Sequence, residues 1–256
     1  MTMDEIAITA LPSESVARAR WFRRRLLEWS KDHARVFAWR QQHDPYAVLI
    51  AELMLRRTQA RQVEPVYIRF LQTYPNPLAL AHAEMAKVAE ALAPLGLAWR
   101  ADNFIPLARL LEEQHAGHVP CERDALLTLP GVGPYVADAV RVFACDATAA
   151  LVDTNTVRVA GRFWGLPTHP ESRRQRPVQT AIDALIEPGK ARASNLALLD
   201  LAALICQPKT PLCSQCPVVA KCAFWREHMP QPQRKAPRPD PGAPEGLEQN
   251  AYLQTR

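Results

Sequence analysis

Leu129–Val140 reads LPGVGPYVADAV. Gly131 and Gly133 follow a proline and precede Pro134, a good first residue for a helix. Helical patterns flank the glycines, over 122–128 and 134–145. A connection this tight needs glycine where φ turns positive or where the backbone approaches another group closely. Successive amide N–H groups beside a helix start make an anion site. The stretch reads as a helix–hairpin–helix. Leu129, Gly131, Val132 and Gly133 then face a phosphate of one DNA strand, a contact that grips without reading bases. The glycines alone do not separate that reading from an ordinary turn, so the surrounding chain has to decide.

Outward from the hairpin the chain is helical. Apolar periodicity predicts further helices over 14–31, 46–59, 64–74, 84–93, 101–115, 154–164, 177–186 and 194–206. Strand signals are nearly absent, so the expected class is all-α. Pro106 falls inside a helical pattern, and the expectation is a helix split or started there. Beyond Glu227 the chain is rich in Pro, Gln and charge and poor in large apolar residues. It is expected to be disordered over 229–256.

The 256 residues are 48% apolar, enough for a real core in one large domain or two modest ones. No apolar run approaches bilayer length, and the N-terminus lacks a signal-peptide layout. The expectation is a soluble, cytoplasmic protein with no membrane partner. The net charge of +5 permits a nucleic-acid partner without requiring one. Arginines cluster at 18–25, 56–57 and 173–176. Solvated helix faces account for any one cluster, while three of them lean toward phosphate contacts.

Cys206, Cys213, Cys216 and Cys222 follow the spacing C-x6-C-x2-C-x5-C in a Pro- and Lys-containing segment. Four thiolates packed this closely suit one tetrahedral metal or a cubane iron–sulfur cluster. Zinc usually uses two C-x2-C knuckles, and only one is present. Cys121 and Cys145 stand isolated, and a cytoplasmic chain has little use for disulfides.

Two carboxylates stand out. Glu52 is the lone charge in AVLIAELML (47–55), a pattern that is apolar all round and therefore buried. Burial raises a carboxyl pKa and makes it a proton donor near neutrality. A buried ion pair with Arg56, one turn on, is the equal alternative. Asp153 precedes the helical run TNTVRVAGRFWG, as an N-cap does, and a helix N-terminus favours its anion. One protonated and one ionised carboxyl is the division of labour that breaks glycosidic bonds.

These motifs together resemble the endonuclease III/MutY superfamily of helix–hairpin–helix (HhH-GPD) DNA glycosylases. The resemblance runs from about Trp21 to Trp225. It is carried by DPYAVLIAELMLRRTQA (44–60), LTLPGVGPYVADAV (127–140), LVDTNTVRVAGRFWG (151–165), LLDLAALIC (198–206) and the four cysteines. It implies a two-lobed all-α fold and a 4Fe-4S cluster on those cysteines. A six-helix barrel lobe would span 38–148, and an iron–sulfur lobe would combine 1–37 with 149–228. DNA would bind between the lobes, with the target nucleotide flipped out. Asp153 becomes the catalytic carboxylate, Asn155 its neighbour, and Glu52 the pocket glutamate. Arg56, Arg57, Gln59 and Leu97 lie in the segments that plug the vacated stack. A monovalent cation at the hairpin and a monomeric enzyme are further expectations.

The family's strand-cleaving members carry lysine at position 135, whose amine attacks the sugar. Tyr135 cannot form a Schiff base, so the expected enzyme is monofunctional, with lyase activity absent or weak. Tyr135 together with LRRT resembles the Mig-type thymine/uracil mismatch glycosylases more than MutY. The expected activity is removal of thymine or uracil opposite guanine. The alternatives are a MutY-like adenine glycosylase and a non-catalytic DNA-binding module. Pro134 departs from the basic residue common there, which removes an N–H and a charge from the phosphate grip.

Overall fold

The structure is a computed structural model that describes residues 13–96, 101–166, 168–169 and 171–228. Leu97 and the segment 229–256 lie outside the described residues. Helix α1 (Ser13–His33) is followed by a strap holding a 3-10 turn (Ala38–Gln41). Then come α2 (Pro45–Leu55), α3 (Ala60–Thr73), α4 (Pro77–Ala81), α5 (Met85–Leu92) and α6 (Ala101–His115). The hairpin helices are α7 (Arg123–Thr128) and α8 (Pro134–Ala144). After them run α9 (Thr154–Trp164), α10 (Arg176–Asp183), α11 (Ala191–Leu204) and α12 (Ala223–His228). The described residues contain no strand.

The helices sort into two groups. Helix α2 packs on α3 and α8, α3 on α5, α4 and α5 on α6, and α7 on α8. Separately, α9 packs on α10, α11 and α12, while α1 returns to pack on α11. Contact between α8 and α11 joins the groups. Both chain ends thus build one group and the middle builds the other. Phe22 of α1 meets Phe163 of α9 edge-on at 4.7 Å, and both rings are buried.

The chain crosses between the groups before α2 and again after α8, and one polar face of α11 holds both crossings. Arg192 donates to the carbonyls of Arg40 (2.7 Å) and Gln42 (2.9 Å) on the first, and to that of Phe143 where the second begins. Asn195 accepts from the Leu151 N–H (2.9 Å) and donates to the Ala149 carbonyl (2.8 Å). Asp200 accepts from Arg35 and Arg40. Asn195 and Asp200 are buried, and their hydrogen bonds offset the desolvation cost.

Several boundaries differ from expectation. The predicted helix over 46–59 ends at Leu55, because Arg57 takes a left-handed φ of 59°. No glycine marks that turn, so the sequence hides it. The next helix starts at Ala60 rather than 64, with Pro65 inside its first turns. Helix α6 runs unbroken through Pro106. One missing N–H early in the helix is offset by burial of Phe104, Ile105, Leu107, Ala108 and Leu111. Helix α4 was not anticipated, although Asn76 caps it by accepting from Ala79 N–H (2.9 Å) and Pro77 opens it.

Cys121 and Cys145 are not isolated. They form a disulfide across 24 residues, joining the start of α7 to the end of α8. The bond ties both ends of the helix–hairpin–helix together. Chain-entropy arguments give a loop of this size about 3 kcal/mol. Replacing both cysteines by serine should lower the melting temperature without reductant, and native protein should melt like the variant once reduced. Identical melting of oxidised native and double variant would show that the bond contributes nothing.

Candidate active site

Asp153 is the N-cap of α9, with extended backbone (φ −131°). Its Oδ1 accepts from Asn155 N–H and Thr156 N–H, both at 2.8 Å, and its Oδ2 accepts from Asn155 Nδ2 at 2.7 Å. Its own N–H donates to Thr156 Oγ1 (2.9 Å), closing a capping box. All the carboxylate's partners here are donors, which suits an anion. Asn155 in turn accepts from Arg158 (3.1 Å), and Arg158 donates to the Cys206 carbonyl (2.8 Å). The sequence shows the cap but not this chain of contacts, since Arg158 looks like any solvated helix residue.

Glu52 lies on α2, where every residue from Tyr46 to Met54 is buried. Burial pushes its carboxyl up to about 7; the charge of Asp153 adds to the rise and the Arg40 guanidinium opposes it. Arg56, the partner considered from sequence, donates to the Gly131 carbonyl (2.9 Å). Tyr135, half-buried at the start of α8, is held well above its ordinary value. Burial is the first cause, and the charges of Glu52 and Asp153 are the next. Glu52, Tyr135 and Asp153 therefore share one electrostatic environment, although they come from three separate helix ends or faces.

The hairpin meets its geometric requirement at Gly131, where φ is +79°. A Cβ there would also sit 3.4 Å from that of Asn103. Gly133 is extended (φ −104°) with open space around it, so its freedom is steric access rather than a special φ. Asp138 pairs with Arg123 (2.9 Å) and Arg141 (3.2 Å), tying α8 to α7. A cleft of about 1030 Å³ opens beside the hairpin, and its walls include Tyr135, Asp153, Arg56 and Arg57, with Arg173 and Arg174 from the other lobe. Glu52 is not on those walls and is only 6% exposed. Gln59 is exposed on the turn that carries Arg56 and Arg57.

A family model for HhH-GPD superfamily base excision DNA repair proteins matches residues 50–182, a span holding Glu52, the hairpin, Tyr135 and Asp153. The chain belongs to the HhH-GPD superfamily. Thymine-DNA glycosylase of Aeropyrum pernix is 38% identical over 208 residues, covering 79% of this chain and 93% of the relative. Thymine/uracil-DNA glycosylase of Pyrobaculum aerophilum is 35% identical, covering 80% and 92% respectively. The solved structure of a thermostable thymine-DNA glycosylase matches with a TM-score of 0.76 at 33% identity, covering 82% of this chain and 97% of that one.

In this HhH-GPD chain, two 3-10 turns (Cys213–Gln215 and Val219–Lys221) fold the cysteine segment back on itself. Cys206, Cys213, Cys216 and Cys222 are half-buried free thiols. Burial raises Cys213, Cys216 and Cys222, and the neighbouring thiols raise them further, with Cys216 reaching about 12. Among the described residues no three His, Cys, Asp or Glu side chains gather around one metal-ion position.

Guanidinium groups enclose that segment. Arg162 donates to the Gln207 and Pro208 carbonyls (2.7 and 2.8 Å) and approaches Cys206 Sγ at 3.5 Å. Arg18 donates to the Lys221 carbonyl and Arg25 to that of Pro217. Arg23 pairs with Glu187 at 2.7 Å. Several arginines of the first cluster thus hold protein rather than phosphate, whereas Arg173 and Arg174 face the cleft.

A carboxyl held near 7 destabilises the fold once ionised. Its contribution favours folding below the ordinary carboxyl range and is lost as pH rises through about 7. Glu52→Gln should therefore match the native protein in stability below pH ~5 and exceed it by roughly 3 kcal/mol above pH ~8. Denaturant melts across this range test it, and a constant difference between the two proteins would contradict the burial reading.

Proposed function

We propose that the chain is a monofunctional DNA glycosylase of base excision repair that removes thymine or uracil mispaired with guanine. The observation that carries this reading is a cleft beside the hairpin walled by Tyr135 and the N-cap Asp153, with the buried Glu52 raised in part by the Asp153 charge. Similarity to thymine/uracil glycosylases over most of the chain supports the choice of base.

Double-stranded DNA lies across the cleft, with the hairpin amides of Leu129, Gly131, Val132 and Gly133 directed at one strand's phosphates. A glycosidic bond inside a duplex is out of reach, so the mispaired nucleotide is flipped into the cleft. Arg56, Arg57 and Gln59, on the turn after α2, fill the vacated stack together with Leu97. Glu52 gives its proton to the departing base as the bond to C1′ breaks. The Asp153 anion stabilises the cationic sugar, held in place by Asn155. Water then adds to C1′ and gives up a proton to the Glu52 carboxylate, which restores that acid and leaves an abasic site and a free base. Tyr135 packs beside the reacting sugar but supplies no amine, so no Schiff base forms and the strand stays intact.

The same reading assigns Cys206, Cys213, Cys216 and Cys222 to a 4Fe-4S cluster. Four half-buried thiols on one short segment, with the Arg162 guanidinium 3.5 Å from Cys206 Sγ, support that assignment. When bound, such a cluster pins the segment that follows α11. The lobe limits 38–148, and 1–37 with 149–228, are part of the proposal, supported by the helix packing. So are monomeric action and a monovalent cation at the hairpin carbonyls.

A panel of duplexes with one mismatch each should show thymine or uracil released opposite guanine, leaving heat-labile abasic sites without direct nicking. Asp153→Asn should slow release by at least about 100-fold, the scale of a lost catalytic carboxylate. Release of adenine alone, or equal rates for native and Asp153→Asn, would overturn the assignment. Tyr135→Lys should gain strand nicking, and strong nicking by the native enzyme would contradict the role given to Tyr135. Purified anaerobically, the protein should be brown with broad visible absorption and lose both colour and stability on iron chelation; a colourless protein with one zinc would exclude the cluster.

A further inference from the structure

The disulfide at the ends of the helix–hairpin–helix joins two helices that are held very unequally. Helix α8 is anchored without it. Six of its eleven residues are buried, α2 packs along it, and Arg192 of α11 donates to the Phe143 carbonyl near its end. The chain beyond Cys145 is anchored as well, since Asn195 bonds to both Ala149 and Leu151. Helix α7 has six residues, of which Leu126 is buried, and its N-cap residue Glu122 makes no side-chain cap hydrogen bond. A helix this short is not stable by itself. It packs on α8, and the Arg123–Asp138 pair also links it there. The Arg123 side chain is 41% exposed, and an ion pair that open to water contributes little. The Cys121–Cys145 bond therefore fastens the weak helix to the strong one, at the end that lacks a capping side chain. The hairpin, Leu129–Gly133, follows α7 directly, and Arg56 holds its Gly131 carbonyl from α2. Cys121 is exposed, whereas Cys145 is half-buried.

We propose that the Cys121–Cys145 disulfide is a redox switch on DNA affinity: closed, it keeps α7 and the hairpin in their phosphate-binding shape, and opened by a dithiol, it lets α7 loosen and weakens the grip. The inference rests on the reading of the hairpin as a DNA-binding element. In the opening reaction one thiolate of the dithiol attacks Cys121 Sγ, the exposed partner. The S–S bond breaks, and Cys145 leaves as a thiolate and takes up a proton. The dithiol's second thiolate then displaces Cys121, which is protonated in turn. The dithiol ends as a disulfide, and the protein has gained the two electrons and two protons that the dithiol lost. Binding DNA must then order α7 and the hairpin again, and that cost is subtracted from the affinity. The Gly131 contact from Arg56 and the packing on α8 remain, so the grip is weakened and not abolished. A staple that served stability alone would change the melting temperature. It would leave affinity untouched wherever both forms are folded.

The two roles separate in a binding measurement on folded protein. The full chain is compared as oxidised native, dithiothreitol-reduced native, and Cys121→Ser/Cys145→Ser treated both ways. Anisotropy titration uses a matched duplex, which is gripped through phosphate and not consumed, at 25 °C and one salt concentration. Circular dichroism shows that each form is folded, and alkylation read by peptide mass shows the state of Cys121 and Cys145. The reduced native protein and the double variant should bind about five- to tenfold more weakly than the oxidised native protein, the scale of ordering a short helix on binding. Reoxidation with a small-molecule disulfide should restore the native affinity, and dithiothreitol should not change that of the double variant. Without DNA, amide hydrogen exchange over residues 122–133 should speed up on reduction while that of α8 stays slow. Equal affinity of the oxidised and reduced native forms overturns the switch and leaves a plain staple, as does alkylation of both cysteines in the oxidised protein. If no form binds any duplex, the DNA-binding reading itself falls and the switch falls with it.

Discussion

A carboxyl group buried in an otherwise apolar helix sets the terms for the rest of the molecule. Glu52 has hydrophobic neighbours along the whole of α2, which places its proton near neutrality and makes its ionisation costly. The surrounding structure responds on two sides. Asp153 is held by three N–H donors at the start of α9, where an anion is favoured. Arg40, on the strap before α2, is held by Asp200 of α11. A buried acid, a capping carboxylate and a braced guanidinium thus bear on one region.

The hairpin shows a different economy. Only Gly131 needs glycine for its backbone angle; Gly133 is glycine at a place where nothing in the protein crowds it. The space beyond it opens on the cleft wall. A side chain there would stand between the amide groups and whatever approaches them, so the second glycine is explained by access from outside. The disulfide between Cys121 and Cys145 and the Arg123–Asp138 pair hold the two helices on either side of these glycines. The backbone is thereby kept in shape before a ligand arrives, which lowers the ordering cost of binding.

Much of this was legible in the sequence because it rests on local rules. The Asp153 cap, the Pro134 helix start, the apolar surround of Glu52 and the crowding of four cysteines are visible within a few residues of each feature. What escaped depends on distant partners or on turns without a marker residue. The Arg56–Arg57 turn has no glycine, and only the positive φ of Arg57 ends α2. The Cys121–Cys145 pair is invisible until α7 and α8 fold side by side. Arginines of α1 that look like a phosphate-binding face are drawn inward by carbonyls some 200 residues away, as Arg18 is by Lys221. Asp200 sits in a helix that otherwise reads as plain core, and its two partners lie far upstream.

The fastening of both lobe crossings to α11 bears on where distortion falls when a duplex enters. Arg192, Asn195 and Asp200 clasp the two connecting segments against the same helix, so both crossings are fastened at one place. On the proposed function, the geometry of the gap is then largely the protein's own, and a bound duplex would have to kink and unstack to conform to it. Deforming DNA is cheapest where pairing is already poor. A stiff clamp of this kind would screen a duplex mechanically, admitting weak steps before any chemical group inspects the base.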